Sequence, residues 1–251
     1  MITESTRPPL FAVVVPMYNE RVGAERCIRA VTTELGKLSA SSAFIVIDDG
    51  SSDGTGPLLD RILSDLGGFQ LIHQANAGYG GALVTGVRAA TERGIPYVLF
   101  MDSDLTNPPA HIARFVPPML EGWDLIKGCR FSPGGSLADV PWQRAAFSHV
   151  GNIVARALFR VGIADCTNGF RAIRTDLAMR MTLTERGFPV IVEELYWAKK
   201  LGATITSVPT TLHTRSADQR PTLFCYRWDT FRRYLRHSFR AATCPWRLRR
   251  P

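Results

Sequence analysis

The chain is poor in cysteine. None of its five (Cys27, Cys129, Cys166, Cys225, Cys244) lies in a C-x-x-C pair. An odd, scattered set excludes a disulfide framework and offers no zinc-ligand spacing; it is the usage expected in a reducing cytosol. No apolar run approaches the roughly 20 residues that span a bilayer. The opening MITESTRPPL has no apolar signal region, so secretion is not expected. Histidine is also sparse: His73, His111, His149, His213 and His237 are dispersed, and no Ser/His/Asp or Cys/His set forms around them. Internal repeats and low-complexity linkers are missing, which makes one large domain the economical arrangement. Residues 1–214 lack net charge as well, their 20 basic and 20 acidic residues cancelling. The whole +8 of the protein sits in residues 215–251, where ten arginines face only Asp218 and Asp229. A neutral body with a basic tail points to an anionic surface or polymer as partner and not to a nucleic-acid footprint.

What is present is alternation. Apolar runs at Leu10–Val15, Ala43–Ile47, Phe69–His73, Tyr97–Met101 and Asp124–Lys127 read as short strands. Between the first two, Ala24, Cys27, Ile28, Val31, Leu35 and Leu38 recur at helical spacing, and Leu58, Leu59, Ile62, Leu63 and Leu66 do so between the next two. A third helix is expected over about Gly80–Arg93, a long one over Trp142–Arg160 and another around Val190–Leu201, with a strand at Ala203–Val208. Strand–helix alternation predicts an α/β fold, a mostly parallel open sheet with helices on both faces. Ligands of such sheets bind beyond the carboxyl ends of the strands, where the polar residues here collect.

The segment VLFMDSDLTNPP places Asp102 and Asp104 just past a buried strand and before a helix start, with Asn107 as the expected cap and Pro108 in the first turn. Side chains two apart on extended chain point the same way. Two carboxylates so close repel unless a positive group lies between them. Hard oxygen ligands with room for phosphate oxygens suit Mg²⁺ or Mn²⁺. VVVPMYNE follows the first strand and VIDDGSSDGT the second; Ser51, Ser52 and Asp53 can cap the next helix, which leaves Asp48 and Asp49 unexplained by capping. NAGYGGAL (Asn76–Leu83) imitates the dinucleotide fingerprint G-x-G-x-x-G/A, with Asp102 about 20 residues on, but it follows the third strand and not the first. The competing reading is that these glycines let a helix pack against the sheet.

Taken together, the motifs resemble family 2 glycosyltransferases of GT-A fold, and within them the polyprenyl- or dolichyl-phosphate sugar transferases. The resemblance runs from Val13 to about Arg215: P-x-Y-N-E at Pro16–Glu20, D-D-G-S-x-D-G-T at Asp48–Thr55, N-x-G-x-G-x-A at Asn76–Ala82, D-x-D-L and Pro-Pro at Asp102–Pro109, and G-x-R at Gly128–Arg130. R-x-x-x-S at Arg144–Ser148, D-x-T-x-G-F-R at Asp165–Arg171 and a helix bearing Glu193 follow in order. The ordered set displaces the dinucleotide reading. It implies that Pro16, Tyr18, Glu20, Ile47 and Asp49 hold base and ribose, and that Asp102 and Asp104 hold a Mg²⁺ or Mn²⁺ ion and the pyrophosphate, with Ser103 touching the nucleotide. Arg215 then lies near the nucleoside diphosphate, and Arg130, Arg144 and Ser148 grip an acceptor phosphate. Thr106 stands where several relatives carry Gln, and Asp218–Pro221 where they carry G-x-S-K. The implied activity is inverting transfer of a hexose, mannose favoured, from a nucleotide sugar (GDP-mannose or a UDP-hexose) to polyprenyl phosphate. A soluble acceptor is the alternative. A strong general base is not required, because a phosphate is already anionic.

The expected division is a catalytic domain over residues 1–214 and a basic amphipathic tail over 215–251. In the tail Phe224, Trp228, Phe231, Leu235 and Phe239 share a helical face, with Arg227, Arg232, Arg233, Arg236 and Arg240 largely elsewhere. That pattern fits equally a helix in a membrane interface and one packing its aromatics on the body. On the first reading the protein is cytoplasmic and peripheral on the inner membrane face.

Overall fold

In the computed structural model, residues 8–138, 142–216, 218, 228–245 and 251 are described, with backbone alone for 142–147. The elements in chain order are β1 (Phe11–Met17), α1 (Ala24–Leu35), β2 (Ser42–Asp48), α2 (Thr55–Leu66), β3 (Gln70–His73), α3 (Gly78–Glu92) and β4 (Tyr97–Phe100). A 3-10 helix (Pro109–Phe115) then leads into α4 (Val116–Leu120), β5 (Leu125–Cys129), β6 (Ser136–Leu137), α5 (Trp142–Phe159), β7 (Arg171–Arg174) and α6 (Thr175–Met179). The remaining described elements are α7 (Val190–Lys200), β8 (Ile205–Pro209), β9 (Thr211–Leu212) and α8 (Trp228–Ala242).

Among the described residues seven strands form one sheet in the order β3-β2-β1-β4-β7-β5-β8, and β6 pairs with β9 in a second, two-stranded sheet. β7 runs antiparallel to both β4 and β5, and every other pairing in the sheet is parallel. The carboxyl ends of β1, β2, β4 and β5 therefore open on one side of the sheet. The central strands are covered on both faces, which is why β1 reads as an unbroken apolar run. Ala12 and Val14 join the core beneath α3 and α7, while Phe11, Val13 and Val15 join the core beneath α1 and α2.

β7 was not foreseen. It lies inside DCTNGFRAIR, four residues long and rich in arginine, where neither length nor apolar pattern announces a strand. The helix start expected at Asn107–Pro108 falls one residue later, at Pro109 of the 3-10 helix, with Pro108 in the cap position and no side-chain cap bond. The glycines of NAGYGG pack, but not on the sheet. A Cβ at Gly80 would stand 2.0 Å from the carbonyl oxygen of Glu185, and one at Gly78 2.6 Å from that of Arg186. The sheet contact is made further along α3 at Gly86, where a Cβ would lie 2.3 Å from Val14.

The tail helix α8 rests on α5 and α7. Its buried side chains are His237, Ser238 and Ala241. Glu185, itself buried, accepts hydrogen bonds from Arg236 (2.9 Å) and His237 (2.9 Å). The buried Lys199 donates to the carbonyls of Phe159 and Ala241, at 2.7 Å each, tying the ends of α5 and α8 together. The packed face holds these three with half-buried Tyr234 against the core. The expected aromatic face is divided: Trp228 and Phe239 are 70% and 58% exposed, while Phe231 and Leu235 are half-buried. Phe224 and Arg227 lie outside the described residues. No helix among the described residues is long and apolar enough to cross a membrane.

Candidate active site

The wall at the tips of β1 and β2 is built by interlocking turns. After Met17 the chain reverses through Asn19, which takes the left-handed φ of 54°. The Asn19 N–H donates to Ser51 Oγ (2.9 Å), and its Oδ1 accepts from the Ser52 N–H (2.8 Å). The Glu20 N–H donates to Thr55 Oγ1 at 2.9 Å. Asp53 takes the N–H and hydroxyl of Thr55, at 2.9 Å and 2.5 Å. The cap position of α2 is nonetheless Gly54, at a left-handed φ of 92° and with no side-chain cap bond, so the expected capping by Ser51, Ser52 or Asp53 is not the arrangement found. Asp48 accepts from His73 (2.9 Å) and the Ser51 N–H (3.1 Å). Asp49 accepts from Gln74 (2.6 Å) and from the N–H groups of Ala77 (2.8 Å) and Gly78 (2.9 Å), anchoring the start of α3. Of the residues expected at base and ribose, Pro16 and Tyr18 are half-buried, Glu20 and Asp49 are buried, and Ile47 is wholly inside the core.

β4 delivers the carboxylate pair. Its backbone bonds to β1 continue through the Met101 N–H onto Val14 (3.1 Å) before the chain leaves the sheet at Asp102. Leu105, in the left-handed region at φ 60°, turns the chain back. The turn lets Asp104 Oδ1 accept the N–H and hydroxyl of Thr106, at 3.1 Å and 2.8 Å. Thr106 therefore orients a carboxylate. A non-glycine residue held at positive φ is strain of the kind that gathers at functional sites. Arg215 bridges the two walls: it donates to Glu20 at 2.6 Å and lies 3.9 Å from Asp104 Oδ2. Its buried Nε has no partner among the described residues. Removal from water, and then repulsion from Asp104, push the Asp102 carboxyl up to about 6, against the pull of Tyr79, Arg171 and Arg215. Two hard carboxylates under mutual repulsion, with an arginine at the rim, fit one divalent cation whose other ligands are phosphate oxygens.

β5 carries the second cluster at the same end of the sheet. The buried Arg130 forks onto Asp165 (2.7 Å and 2.9 Å) and also donates to Thr167 (2.8 Å) and Ser148 (3.2 Å). Arg130 and Ser148, expected together, are together. Arg144 lies on α5, its side chain outside the described residues. The Arg130 guanidinium also lies 5.1 Å from the centre of the Phe131 ring, which meets His149 edge-on. Attraction to Arg130 holds the Asp165 carboxyl below the usual range, overriding its burial. Beneath it, burial pushes Lys127 down to about 7, and its ammonium donates to the Asn168 carbonyl at 2.6 Å.

Several participants were missed by sequence reasoning. Tyr79 donates to Asp102 at 3.0 Å, Arg171 pairs with Glu194 in the core (2.7 Å), and Glu193 takes the N–H groups of Thr184 and Glu185 at 2.9 Å each. Each partner lies eight or more residues away, beyond the reach of local pattern, although NAGYGGAL and the Glu-bearing helix marked the segments.

Known proteins place this arrangement. Residues 12–182 match glycosyl transferase family 2. The chain is 31% identical over 208 residues to the polyprenol monophosphomannose synthase of Mycolicibacterium smegmatis, covering 81% of this chain and 77% of that one. It is 30% identical over 209 residues to the undecaprenyl-phosphate mannosyltransferase of Micrococcus luteus, covering 80% and 83%. Among solved structures, glucosyl-3-phosphoglycerate synthase from Mycobacterium tuberculosis, in complex with Mn²⁺, UDP and phosphoglyceric acid, superposes with a TM-score of 0.64 at 20% identity, over 94% of this chain and 80% of that one. The fold is thus the GT-A type, and the chain belongs to glycosyl transferase family 2.

Proposed function

We propose that this glycosyltransferase moves a hexose, mannose in preference to others, from a nucleotide sugar to polyprenyl phosphate with inversion at the anomeric carbon. The observation that carries the reading is that one end of the sheet holds both a carboxylate pair with an arginine at its rim and a separate arginine–serine pair. The first suits a metal-bound diphosphate and the second an anionic acceptor. Near 30% identity to two enzymes named for polyprenyl phosphates and mannose supports the choice of acceptor and sugar.

On this reading Pro16, Tyr18, Glu20 and Ser103 line the nucleotide, with Asp49 and Ile47 supporting the wall from behind. Arg215 turns from Glu20 and Asp104 towards the diphosphate. A Mg²⁺ or Mn²⁺ ion held by Asp102 and Asp104 neutralises diphosphate charge when bound. Arg130, Arg144 and Ser148 hold the acceptor phosphate. Its anionic oxygen forms the new bond to the anomeric carbon as the bond to the nucleoside diphosphate breaks and takes its electron pair with it. No proton has to move, which accords with the structural positions of three of the five histidines: His73 on Asp48, His111 on Thr210 and His237 on Glu185. Rate enhancement then comes from positioning and charge stabilisation.

The outward-facing Trp228 and Phe239 favour a lipid acceptor and peripheral membrane attachment over a soluble acceptor. The test is incubation of the full chain with Mg²⁺ or Mn²⁺, a short polyprenyl phosphate and GDP- or UDP-sugars in separate reactions, read by mass spectrometry. A hexosyl-phosphoryl lipid is expected. Nucleoside diphosphate accumulating without that lipid would overturn the lipid acceptor and leave the transferase.

A further inference from the structure

Tyr79, on the first turn of α3, has no part in the transfer as drawn, yet its hydroxyl donates to Asp102 Oδ1 at 3.0 Å. The guanidinium of Arg171 lies next to the same hydroxyl and is itself fixed by its buried pair with Glu194. A guanidinium only donates, so the phenolic proton is left to point at Asp102. The ring is immobilised from behind: it stacks on Phe188 with centroids 4.9 Å apart and planes 30° apart. The segment leading to Phe188 is fastened in turn. The Gly80 N–H donates to the Arg186 carbonyl (2.9 Å), and the Arg186 guanidinium donates to the carbonyls of Ala77 (3.0 Å) and Asn76 (3.1 Å). On the other side of Asp102, a Cβ at Gly169 would stand 3.3 Å from Oδ2. The absence of a side chain there keeps space open at the second oxygen.

We infer that Tyr79 is a positioning residue for the cation site: it holds Asp102 by Oδ1 so that Oδ2 is offered to the divalent cation, and Phe188 keeps Tyr79 in place. The inference rests on the reading of Asp102 and Asp104 as cation ligands. A carboxylate is otherwise free to turn about its last torsion, and a hydrogen bond from outside the coordination sphere removes that freedom before the ion arrives.

The test is Mn²⁺ binding to the full chain, followed by electron paramagnetic resonance in the presence of UDP and, separately, of GDP, for wild type, Tyr79→Phe, Phe188→Ala and Asp104→Ala. Tyr79→Phe keeps the stacked ring and removes only the hydroxyl. Its half-saturating Mn²⁺ concentration should rise about ten-fold at unchanged melting temperature. In turnover, the same rise in metal requirement should appear with kcat at saturating Mn²⁺ within about two-fold of wild type. Phe188→Ala should shift Mn²⁺ binding in the same direction. If Tyr79→Phe binds Mn²⁺ as wild type does while Asp104→Ala does not bind it, the inference is overturned and the cation reading stands. Mn²⁺ binding untouched by Asp104→Ala would overturn the cation reading, and the inference with it.

Discussion

Asp104 is the residue on which the proposed chemistry turns, because it faces Arg215 and has one oxygen uncommitted to the Thr106 turn. Replacing it with Ala removes a repulsive neighbour of Asp102 and cuts no core contact, so the fold should survive. Turnover should fall by at least about a hundred-fold, with a cooperative melting transition lowered only modestly by the lost Thr106 bonds; near-wild-type activity in the presence of metal would refute the assignment. His73 illustrates a charge serving structure. Its hydrogen bond to Asp48, helped by Asp60, raises its pKa above the ordinary 6.5 against the effect of burial. A group whose folded pKa is raised stabilises fully below its unfolded pKa, and the contribution disappears as pH rises through the folded value. Urea unfolding of wild type and His73→Gln should therefore differ most below the ordinary pKa of 6.5 and converge as pH rises through the raised folded value. A difference that grew with pH would contradict the ion pair.

At the scale of elements, the decisive contact is between α3 and the segment before α7. Gly80 lies so close to the Glu185 carbonyl that a Cβ would need the backbone to move. The same few residues carry the Arg186 bonds, the Phe188 stack and the Glu185 carboxylate that receives α8. Gly80→Ala should cost roughly 1–3 kcal/mol of stability in urea unfolding. It should also weaken Mn²⁺ binding, because it displaces the support of Tyr79. A stability change below about 0.5 kcal/mol would show that the contact is looser than its geometry.

For the molecule as a whole, charge and apolar exposure converge on the C-terminal region. Its arginines carry the net +8, and α8 turns Trp228 and Phe239 to solvent. On α5, Val150 and Ile153 are likewise 61% and 51% exposed. Each Arg near an anionic bilayer contributes roughly 1 kcal/mol, screened by salt. In vesicle co-sedimentation the full chain should bind anionic membranes and leave neutral ones largely free. Added salt should weaken binding, as should the double replacement Trp228→Ser with Phe239→Ser. Equal binding by that variant would assign the exposed aromatics another purpose.

The sequence by itself determined the sheet and its order of motifs. Buried parallel strands require unbroken apolar runs, and turns at their carboxyl ends require Asp, Gly and Ser, so both are written locally. It also marked Asp102 and Asp104, whose spacing after β4 needs no partner to be noticed. Arg130 and Ser148 were named through family likeness, and the fold joined them. What only the tertiary structure decided lies across long separations: Tyr79 on Asp102, Asp165 under Arg130, Glu185 receiving α8, and Asp49 turned inward to hold α3. β7 belongs there too, since its antiparallel place is set by neighbours on both edges and not by its own residues. So does the face that α8 presents. Periodicity sorts residues around a helix, but which stripe is buried depends on the surface it meets, and here a buried carboxylate and a lysine draw in His237, Ser238 and Ala241 while the aromatic stripe is left only partly covered.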